Sequence, residues 1–324
     1  MLETTSQELI MVGVDVAKGK LDIAFADQPI MTIDNNEAGF KKLLKRMANR
    51  ENLCWVMEAT GGYEKALVSF LLTNEIKVAV VNAKRVRDFA NAMGAYAKND
   101  RIDADMIRQY AKTAYANNRL QLREPRSVVE QRIEALLKRR QQLVGQHTIE
   151  LQHLESACDK ASVRSIKRTL KYLAKEIDSI EASINSDIDN DELLTQRMTQ
   201  LLAVKGIGPV SAYALIALLP ELGKVSNKEI AALVGVAPYS KDSGKKTGKR
   251  SVFGGRELIR SILYMAILSA TRFNKPIRDF YQRLLAKGKL KKVAQTACMR
   301  KLLVTLNSMV KNQSEWNPDF ADLA

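Results

Sequence analysis

Short apolar runs alternate with amphipathic segments over the first 95 residues of the chain. β-Branched and other apolar residues dominate positions 9–16, and a second run at 20–26 follows a tight turn at Lys18–Gly19. This spacing predicts a β-hairpin, with MTIDN at 31–35 as a third strand. Further apolar runs predict strands at 53–57 and 77–81, and helical spacing predicts helices at 37–50, 63–74 and 84–93. Strands followed by strand–helix alternation indicate an α/β domain with a mixed sheet.

From about residue 129 to residue 184 the hydrophobic spacing becomes a heptad. Apolar positions step alternately by four and three residues at Ile166, Leu170, Leu173, Ile177, Ile180 and Ile184. A similar upstream seam is predicted at Ile133, Leu137, Val144, Leu151, Leu154 and Cys158, with Arg140 and His147 as polar interruptions. Because Asp159–Ser162 can turn the chain, the seams predict either an antiparallel helical hairpin or an oligomerising coiled coil. The Asp- and Asn-rich stretch 185–191 is predicted to be the linker that follows.

Two glycine-containing segments stand out in the last third of the chain. Gly206-Ile207-Gly208 separates two apolar helical runs and is similar to the turn of helix–hairpin–helix modules, whose backbone N–H groups can meet a phosphate. A plain glycine turn between packed helices explains it equally well. The second segment, SKDSGKKTGKRSVFGGR, is too polar and basic to be core, so it is either a disordered linker or a nucleic-acid contact. Its Ser243 is flanked by lysines that could hold a phosphate, although a generic Ser/Gly loop has the same pattern. A helix at 256–271 and basic helices at 276–306 follow.

Positive charge is concentrated in the last quarter of the chain. The formal net charge is +15, and residues 241–301 contain seventeen Lys and Arg but only three acids, Asp242, Glu257 and Asp279. A localised basic surface predicts a polyanionic partner, here nucleic acid. The positions predicted to contact it are Lys205, Gly206, Gly208, Lys245, Lys246, Lys249, Arg250, Arg256 and Arg260.

The composition argues against several other classes of protein. No segment approaches the ~18 consecutive apolar residues of a membrane span. The start of the chain has no basic segment followed by an apolar one, so we expect no signal peptide and a cytoplasmic location. Cys54, Cys158 and Cys298 lack CxxC spacing and are predicted to be reduced thiols rather than a zinc site. With only two histidines in the chain, any metal is expected to be hard and oxygen-ligated.

Four acids are candidates for that metal chemistry. Asp15 and Glu58 each end a predicted strand, and ligands of α/β sheets bind in the crevice outside strand ends. In the helix that KNDRIDAD opens, Asp100 and Asp103 lie about 60° apart on one face, whereas Asp105 points elsewhere. Four converging carboxylates would repel strongly unless divalent cations compensated them. With two Mg²⁺ ions they would form a two-metal site for phosphoryl transfer.

Each of these acids also has a structural explanation. Asp100 and Asp103 would suit the dipole of a helix start, Asp15 could be a turn residue, and Glu58 could be a charge that precedes a helix. Three further acids rank lower as ligands because they lie in mid-strand or loop positions, namely Asp22, Asp27 and Asp34.

Five ordered segments of the chain resemble one protein family. They are VGVDVAKGKLD, MEATGGYE, KNDRIDADMI, GIGPVSA and VAPYSKDSGKKTGKR with the following GGRELIRSILYMA. The family is that of the DEDD-type transposases of insertion-sequence family one-hundred-and-ten, with the related Piv-type DNA invertases. The GKRSVFGGR form is similar to its eleven-eleven subgroup. The resemblance covers nearly the whole chain.

The resemblance implies a fold of class α/β plus α, in three parts. These are a RuvC-like, ribonuclease-H-like catalytic domain at 1–122, a coiled-coil oligomerisation region at 123–192 and a mostly helical transposase domain at 193–324. It also implies that Asp15, Glu58, Asp100 and Asp103 form a Mg²⁺-binding tetrad, with two ions per site, and that Ser243 is the nucleophile that forms a phosphoserine intermediate with DNA.

The resemblance further implies three kinds of partner. These are DNA, as donor ends and target; a structured guide RNA, the bridge RNA; and further copies of the chain, from a dimer to a tetramer. Tetrad and serine would come from different protomers.

Other functions are compatible with the same residues. One is a RuvC-like nuclease that hydrolyses DNA junctions with activated water, in which Ser243 only contacts DNA. Another is a non-enzymatic nucleic-acid-binding protein with structural acids. Tyr239 is an alternative nucleophile. The motifs do not separate a transposase from an invertase, nor do they specify the target, the donor ends or a guide RNA sequence.

Overall fold

The computed structural model of the chain describes residues 9–47, 52–95, 100–239, 248 and 250–317, with only the backbone described at 100–102. The chain divides into two compact units, residues 1–126 and 127–324. The first unit is built on a mixed sheet and the second is mostly helical, so the predicted α/β plus α layout is confirmed. The finer division at residues 122 and 192 stays a prediction. No helix in the described ranges is both long and apolar enough to cross a membrane.

The described residues of the N-terminal unit form five strands and four helices. The strands are β1 (Ile10–Val16), β2 (Lys20–Ala24), β3 (Met31–Asp34), β4 (Leu53–Glu58) and β5 (Lys77–Val81). The helices are α1 (Glu37–Met47), α2 (Lys65–Thr73), α3 (Ala83–Ala92) and α4 (Asp100–Ala116). The strand order is β3-β2-β1-β4-β5, antiparallel from β1 to β3 and parallel from β1 through β4 to β5. The predicted hairpin and mixed sheet are therefore confirmed.

Successive residues of each strand point to opposite faces of this sheet. Val12, Val14 and Val16 of β1 belong to a core that includes residues of α1 and α2. Met11 of β1 belongs to a second core, which includes residues of α3 and α4. Because helices cover both faces, the central strands are apolar almost throughout instead of alternating with polar residues.

Gly13 allows α4 to lie directly on β1. A Cβ atom at this position would be 2.1 Å from the carbonyl oxygen of Ala104 and 2.6 Å from the backbone nitrogen of Arg108. Only glycine therefore permits this approach of helix and strand, which sets the height of α4 above the sheet.

In the part of the C-terminal unit that the structure describes, ten helices and strands surround one apolar core. They are α5 (Val128–Ser156), α6 (Lys160–Asp189), α7 (Glu192–Leu202), α8 (Pro209–Leu218), α9 (Asn227–Val234), β6 (Pro238–Tyr239), β7 (Ser251–Val252), α10 (Glu257–Phe273), α11 (Lys275–Ala286) and α12 (Lys291–Asn312). The core joins the start of α5 and the end of α6 to the helices that follow.

The predicted antiparallel helical hairpin is formed by α5 and α6. Ion pairs between Arg132 and Asp187 and between Arg140 and Glu181 cross from one helix to the other, at 3.0 and 2.7 Å. The turn lies at 157–159, where Asp159 caps α6 by accepting hydrogen bonds from the backbone of the next turn. The turn of the hairpin thus lies slightly earlier in the chain than the predicted turn at Asp159–Ser162.

Two details predicted for this hairpin are wrong. Val144 and Leu151 are 37% and 43% exposed, whereas Leu143 is 2% exposed. Leu143 therefore takes the buried position in this turn of α5, and Val144 and Leu151 lie on the flank of the hairpin. The predicted linker at 185–191 is largely helical, since Ile188 extends the apolar seam of α6 by one turn and is 2% exposed.

Candidate active site

Asp15 and Glu58 lie at the ends of two neighbouring parallel strands. The register of β1 and β4 pairs Val14 with Met57, so the two acids follow side by side at the same edge of the sheet. Strand alternation turns both toward the face that α3 and α4 cover, on which Met11 and Cys54 are also found. Both acids are half-buried.

The first turns of α4 bring Asp103 over the same face. Asp103 is half-buried and precedes Ala104, whose carbonyl lies against Gly13 of β1. Position 100 begins α4 one turn before Ala104, and the Asp100 side chain lies outside the described residues. Asp105 is engaged elsewhere, because its carboxylate accepts from Arg108 at 2.7 Å and from Gln109 at 2.7 Å.

The described acids share a face without forming one coordination sphere. Among the side chains that the structure describes, no three of His, Cys, Asp or Glu are close enough together to hold a metal ion. The candidate metal ligands here are all carboxylates, those of Asp15, Glu58, Asp103 and Asp100. Carboxylate oxygens suit a hard cation such as Mg²⁺ better than zinc, so the residue types fit the predicted metal.

Asp22 is a further acid on this face, and it lies in the middle of β2, as the strand pattern predicted. In the β1–β2 register it lies directly opposite Asp15, and opposed residues of antiparallel strands project to the same side. It is 4% exposed and is held by the Thr32 hydroxyl and by Lys20, the latter at 3.2 Å. The hairpin turn at Lys18–Gly19 contains the signal that could have identified this pairing.

Glu64 organises the loop that follows Glu58. Its carboxylate accepts hydrogen bonds from the backbone of Thr60 and Gly62 and from the Thr60 hydroxyl, at 2.9 to 3.2 Å. Gly61 and Gly62 have positive φ values of 72° and 118°, which favour glycine. The second glutamate of MEATGGYE is therefore a structural residue that shapes the rim of the site.

A short antiparallel ribbon joins the ends of the loop that contains Ser243. Pro238 and Tyr239 of β6 pair with Val252 and Ser251 of β7. Residues 240–247 and 249 lie outside the described residues, so the predictions for Ser243, Lys245, Lys246 and Lys249 fall there. Arg250 is described and exposed.

Backbone-to-backbone packing supports this ribbon. Gly235 has a φ of 81°, and a Cβ atom there would be 2.0 Å from the carbonyl oxygen of Gly254. The Arg256 guanidinium is hydrogen-bonded to the Leu218 carbonyl at 2.8 Å and to Glu221, and Arg260 donates to the Gly254 carbonyl. These two predicted nucleic-acid contacts thus have intramolecular partners that hold the base of the loop.

The predicted helix–hairpin–helix turn lies between α7 and α8. A Cβ atom on Gly206 would be 2.6 Å from that of Ala270, so this glycine permits close packing on α10. Lys205 and Gly208 are exposed, and Gly208 caps α8 with Pro209 at its first position. Exposed N–H groups at such a helix start suit a phosphate, and the contact stays a prediction.

Comparison with known proteins identifies the family. Residues 12–162 match a family model described as "Transposase", of the DEDD type, and residues 198–282 match one described as "Transposase IS116/IS110/IS902 family". Together the two matches cover most of the chain.

Three relatives illustrate the range of the similarity. The chain is 28% identical to the "Pilin gene-inverting protein" of Moraxella bovis, over 93% of this chain and 95% of that protein. It is 21% identical to the "Insertion element IS116 uncharacterized 44.8 kDa protein" of Streptomyces clavuligerus, over 97% and 98%. It is 22% identical to the "Transposase for insertion sequence element IS1111A" of Coxiella burnetii, over 74% and 71%. The chain belongs to the IS110 family of transposases and DNA invertases, which are enzymes that cut and rejoin DNA.

Proposed function

We propose that this chain is a site-specific DNA recombinase of an insertion sequence that works through a phosphoserine intermediate. The observation that carries the proposal is the adjacency of Asp15 and Glu58 at the ends of two parallel strands, with the start of α4 on the same face. A mixed sheet with carboxylates at this edge also supports a RuvC-like, ribonuclease-H-like assignment for the N-terminal unit.

In the proposed reaction the Ser243 hydroxyl oxygen bonds to the phosphorus of a DNA phosphodiester. The bond from phosphorus to one deoxyribose oxygen breaks, and that oxygen leaves as a hydroxyl after taking a proton. Because one phosphodiester replaces another, the bond energy is conserved and no ATP is needed for rejoining. Attack on the phosphoserine by a hydroxyl of a different strand then exchanges the strands and regenerates the serine.

The four carboxylates of Asp15, Glu58, Asp100 and Asp103 would hold two Mg²⁺ ions. When bound, these ions would supply positive charge at the reacting phosphate. The half-buried positions of the described acids support this role, because partial burial weakens solvent screening of their charge.

A homo-oligomer and a guide RNA complete the proposal. Val144 and Leu151 leave an apolar flank exposed on the helical hairpin, which supports association with a second copy as a dimer or tetramer. In such an assembly the serine of one protomer would act at the acids of another. The bridge RNA would pair with donor and target DNA, and the concentration of positive charge in residues 241–301 is compatible with it.

A DNA invertase without guide RNA is the second candidate. The similarity to the "Pilin gene-inverting protein" extends over 93% of this chain, further than the similarity to the IS1111A transposase. Sequencing the RNA that copurifies with the protein from its native host distinguishes the two. A single RNA encoded beside the gene supports guided recombination, whereas random RNA or none supports direct readout of DNA by the protein.

The test of the mechanism is a search for a covalent protein–DNA adduct. The full chain, together with the RNA that copurifies with it, would be incubated with Mg²⁺ and DNA containing the sequences that flank its gene, and then denatured in detergent. We expect a labelled adduct that Ser243→Ala abolishes and Tyr239→Phe retains. Cleaved ends without any adduct would overturn the serine mechanism in favour of a junction nuclease that uses water.

A further inference from the structure

A large cleft in the C-terminal unit has a chemistry that the serine mechanism does not use. It has a volume of about 970 Å³ and lies between the β6–β7 ribbon, α11 and α12. Its apolar surface includes Val236, Val252, Val293 and Ala297. Five cationic side chains also line it, and these are Arg250, Arg283, Lys292, Arg300 and Lys301. The volume is at the upper end of the range for ligand-binding pockets.

The positive charge of the cleft is not neutralised by acids of the described chain. Among the residues that the structure describes, no Asp or Glu lines the cleft and none of its five cations forms an ion pair with a carboxylate. By contrast, Lys275 and Arg278 on the same helix α11 pair with Asp279. Five unneutralised cations around one cavity repel each other, so the arrangement favours a polyanionic ligand.

Phe280 holds two of these cations in place without cancelling their charge. The guanidinium carbon of Arg283 and the Nζ atom of Lys301 each lie 5.3 Å from the centre of its ring. A cation–π contact of this kind orients a cation and leaves its N–H groups available to a ligand. Phe280 also packs against the core, so the position of the pair is determined by the fold.

We propose that this cleft binds an unpaired segment of the DNA strand during cleavage and exchange. Apolar walls with a cationic lining match a single strand, whose bases enter the apolar part while its phosphates contact the cations. Base pairs of an intact duplex are stacked and cannot enter such a cleft. DNA is favoured over RNA because the family cuts and rejoins DNA and because β6 and β7 flank the segment that contains Ser243. The proposal extends the proposed function and rests on it only in taking DNA as the substrate.

The test is equilibrium binding of labelled oligonucleotides to the full chain in EDTA. The probes are a mixed-sequence single-stranded DNA, the same sequence as a duplex, and the same sequence as single-stranded RNA. Because no cleavage is scored, the result is independent of the serine mechanism, and the adduct experiment fails or succeeds separately. Thermal unfolding of every variant checks that the fold is intact.

Removing two cleft cations tests the phosphate contacts. The double variant Arg300→Gln with Lys301→Gln should weaken single-stranded DNA binding roughly 20-fold at 0.1 M salt and flatten its salt dependence by about 1.4 logarithmic units per decade of salt. The matched control is Lys287→Gln with Lys311→Gln, which removes the same charge from exposed positions of the same unit outside the cleft. Equal losses in the two double variants would overturn the proposal.

Filling the cleft tests entry of the bases. Ala297→Phe adds bulk to the apolar wall without changing charge, and we expect single-stranded DNA binding to weaken roughly tenfold while duplex binding is unchanged. Unchanged single-strand binding in a folded Ala297→Phe variant would overturn the proposal. Tighter binding of the RNA than of the DNA, with the same loss in both cleft variants, would overturn the assignment to DNA.

Discussion

The two units of this protein present their functional side chains in opposite ways. In the N-terminal unit, short carboxylates project from strand ends and from the first turns of a helix, so the backbone determines where each oxygen lies. In the C-terminal unit, long cationic side chains surround a cleft, and a single aromatic ring orients two of them. Phosphoryl transfer requires catalytic groups in fixed positions, whereas side chains that contact a nucleic-acid backbone can adjust their positions. The contrast thus follows the chemistry that each unit is proposed to perform.

The strongest test of this contrast changes side-chain length at constant charge. Asp15→Glu moves the carboxylate by one methylene, and we expect DNA cleavage to fall roughly 10³-fold because the proposed ligand leaves its position. Lys292→Arg in the cleft also changes length at constant charge and should alter cleavage by less than about threefold, since a phosphate contact can readjust. Single-turnover cleavage rates measure both variants.

Asp105→Glu is the matched control for the carboxylate change. Asp105 is another acid of α4, but it pairs with Arg108 and Gln109. We expect its cleavage rate to stay close to that of the unchanged protein. If Asp15→Glu and Asp105→Glu had equal effects, the N-terminal acids would not require fixed positions, and the contrast between the units would fail.

Gly13→Ala tests whether the backbone sets the geometry of the acidic face. The added methyl would meet the carbonyl of Ala104 at 2.1 Å, so α4 must shift away from β1. We expect a loss of about 3 kcal/mol in the free energy of unfolding, with reduced cleavage, because the shift also moves Asp103. Urea denaturation and cleavage assays measure the two effects. Gly19→Ala is the control, since no described atom beyond its chain neighbours lies within 4 Å of its added methyl. Full stability of Gly13→Ala would contradict the close approach.

Helix α5 of the C-terminal unit allows a buried leucine to be compared with an exposed one in the same helix. Leu137 is 5% exposed in the core, and Leu137→Ala should lower the free energy of unfolding by about 2.5 kcal/mol. Leu151 is 43% exposed, and Leu151→Ala should cost less than about 1 kcal/mol in the monomer. Urea denaturation at several protein concentrations measures both. A larger cost for Leu151→Ala that grows with protein concentration would show that another copy covers this flank.

The smallest expected effect concerns the two buried cysteines, one in each unit. Burial raises the pKa of the Cys54 thiol to about 11 and that of the Cys298 thiol to about 12, from an ordinary value of 9.0. The thiol of the unfolded chain ionises at a lower pH than the buried thiol. The contribution of the buried neutral thiol to the free energy of unfolding is therefore complete below pH 9 and is lost as pH rises through 9 toward these values. We expect Cys54→Ala to reduce the loss of stability between pH 9 and pH 11, measured by urea denaturation.

Thiol labelling at pH 8 is the companion measurement. Cys158 is exposed and should react at once, while Cys54 and Cys298 should each react only as their own unit opens. Labelling of either buried cysteine at the rate of Cys158 would contradict the burial of that thiol.

Much of the fold could be predicted from local pattern. The strands at β1, β4 and β5 and the helices α4 and α10 follow from runs and spacings of apolar residues, because backbone geometry imposes periods of 2 and 3.6. The positions of Asp15 and Glu58 at strand ends were predictable for the same reason. The exposure of Val144 and Leu151 was not, because it depends on which residues of α5 are covered across the hairpin, and those contacts join residues distant in the chain.

The sequence by itself determined most of the strands and helices, the strand ends that contain acids, the three-residue spacing of Asp100 and Asp103, and the concentration of positive charge near the end of the chain. Only the tertiary structure decided that Arg256 is paired with Glu221 and that α11, α12 and the ribbon enclose a cationic cleft. The physical reason is the distance along the chain between the residues that interact. Periodicity is a property of neighbouring residues, whereas register, helix height and cavity shape arise from contacts between residues that are distant in the chain.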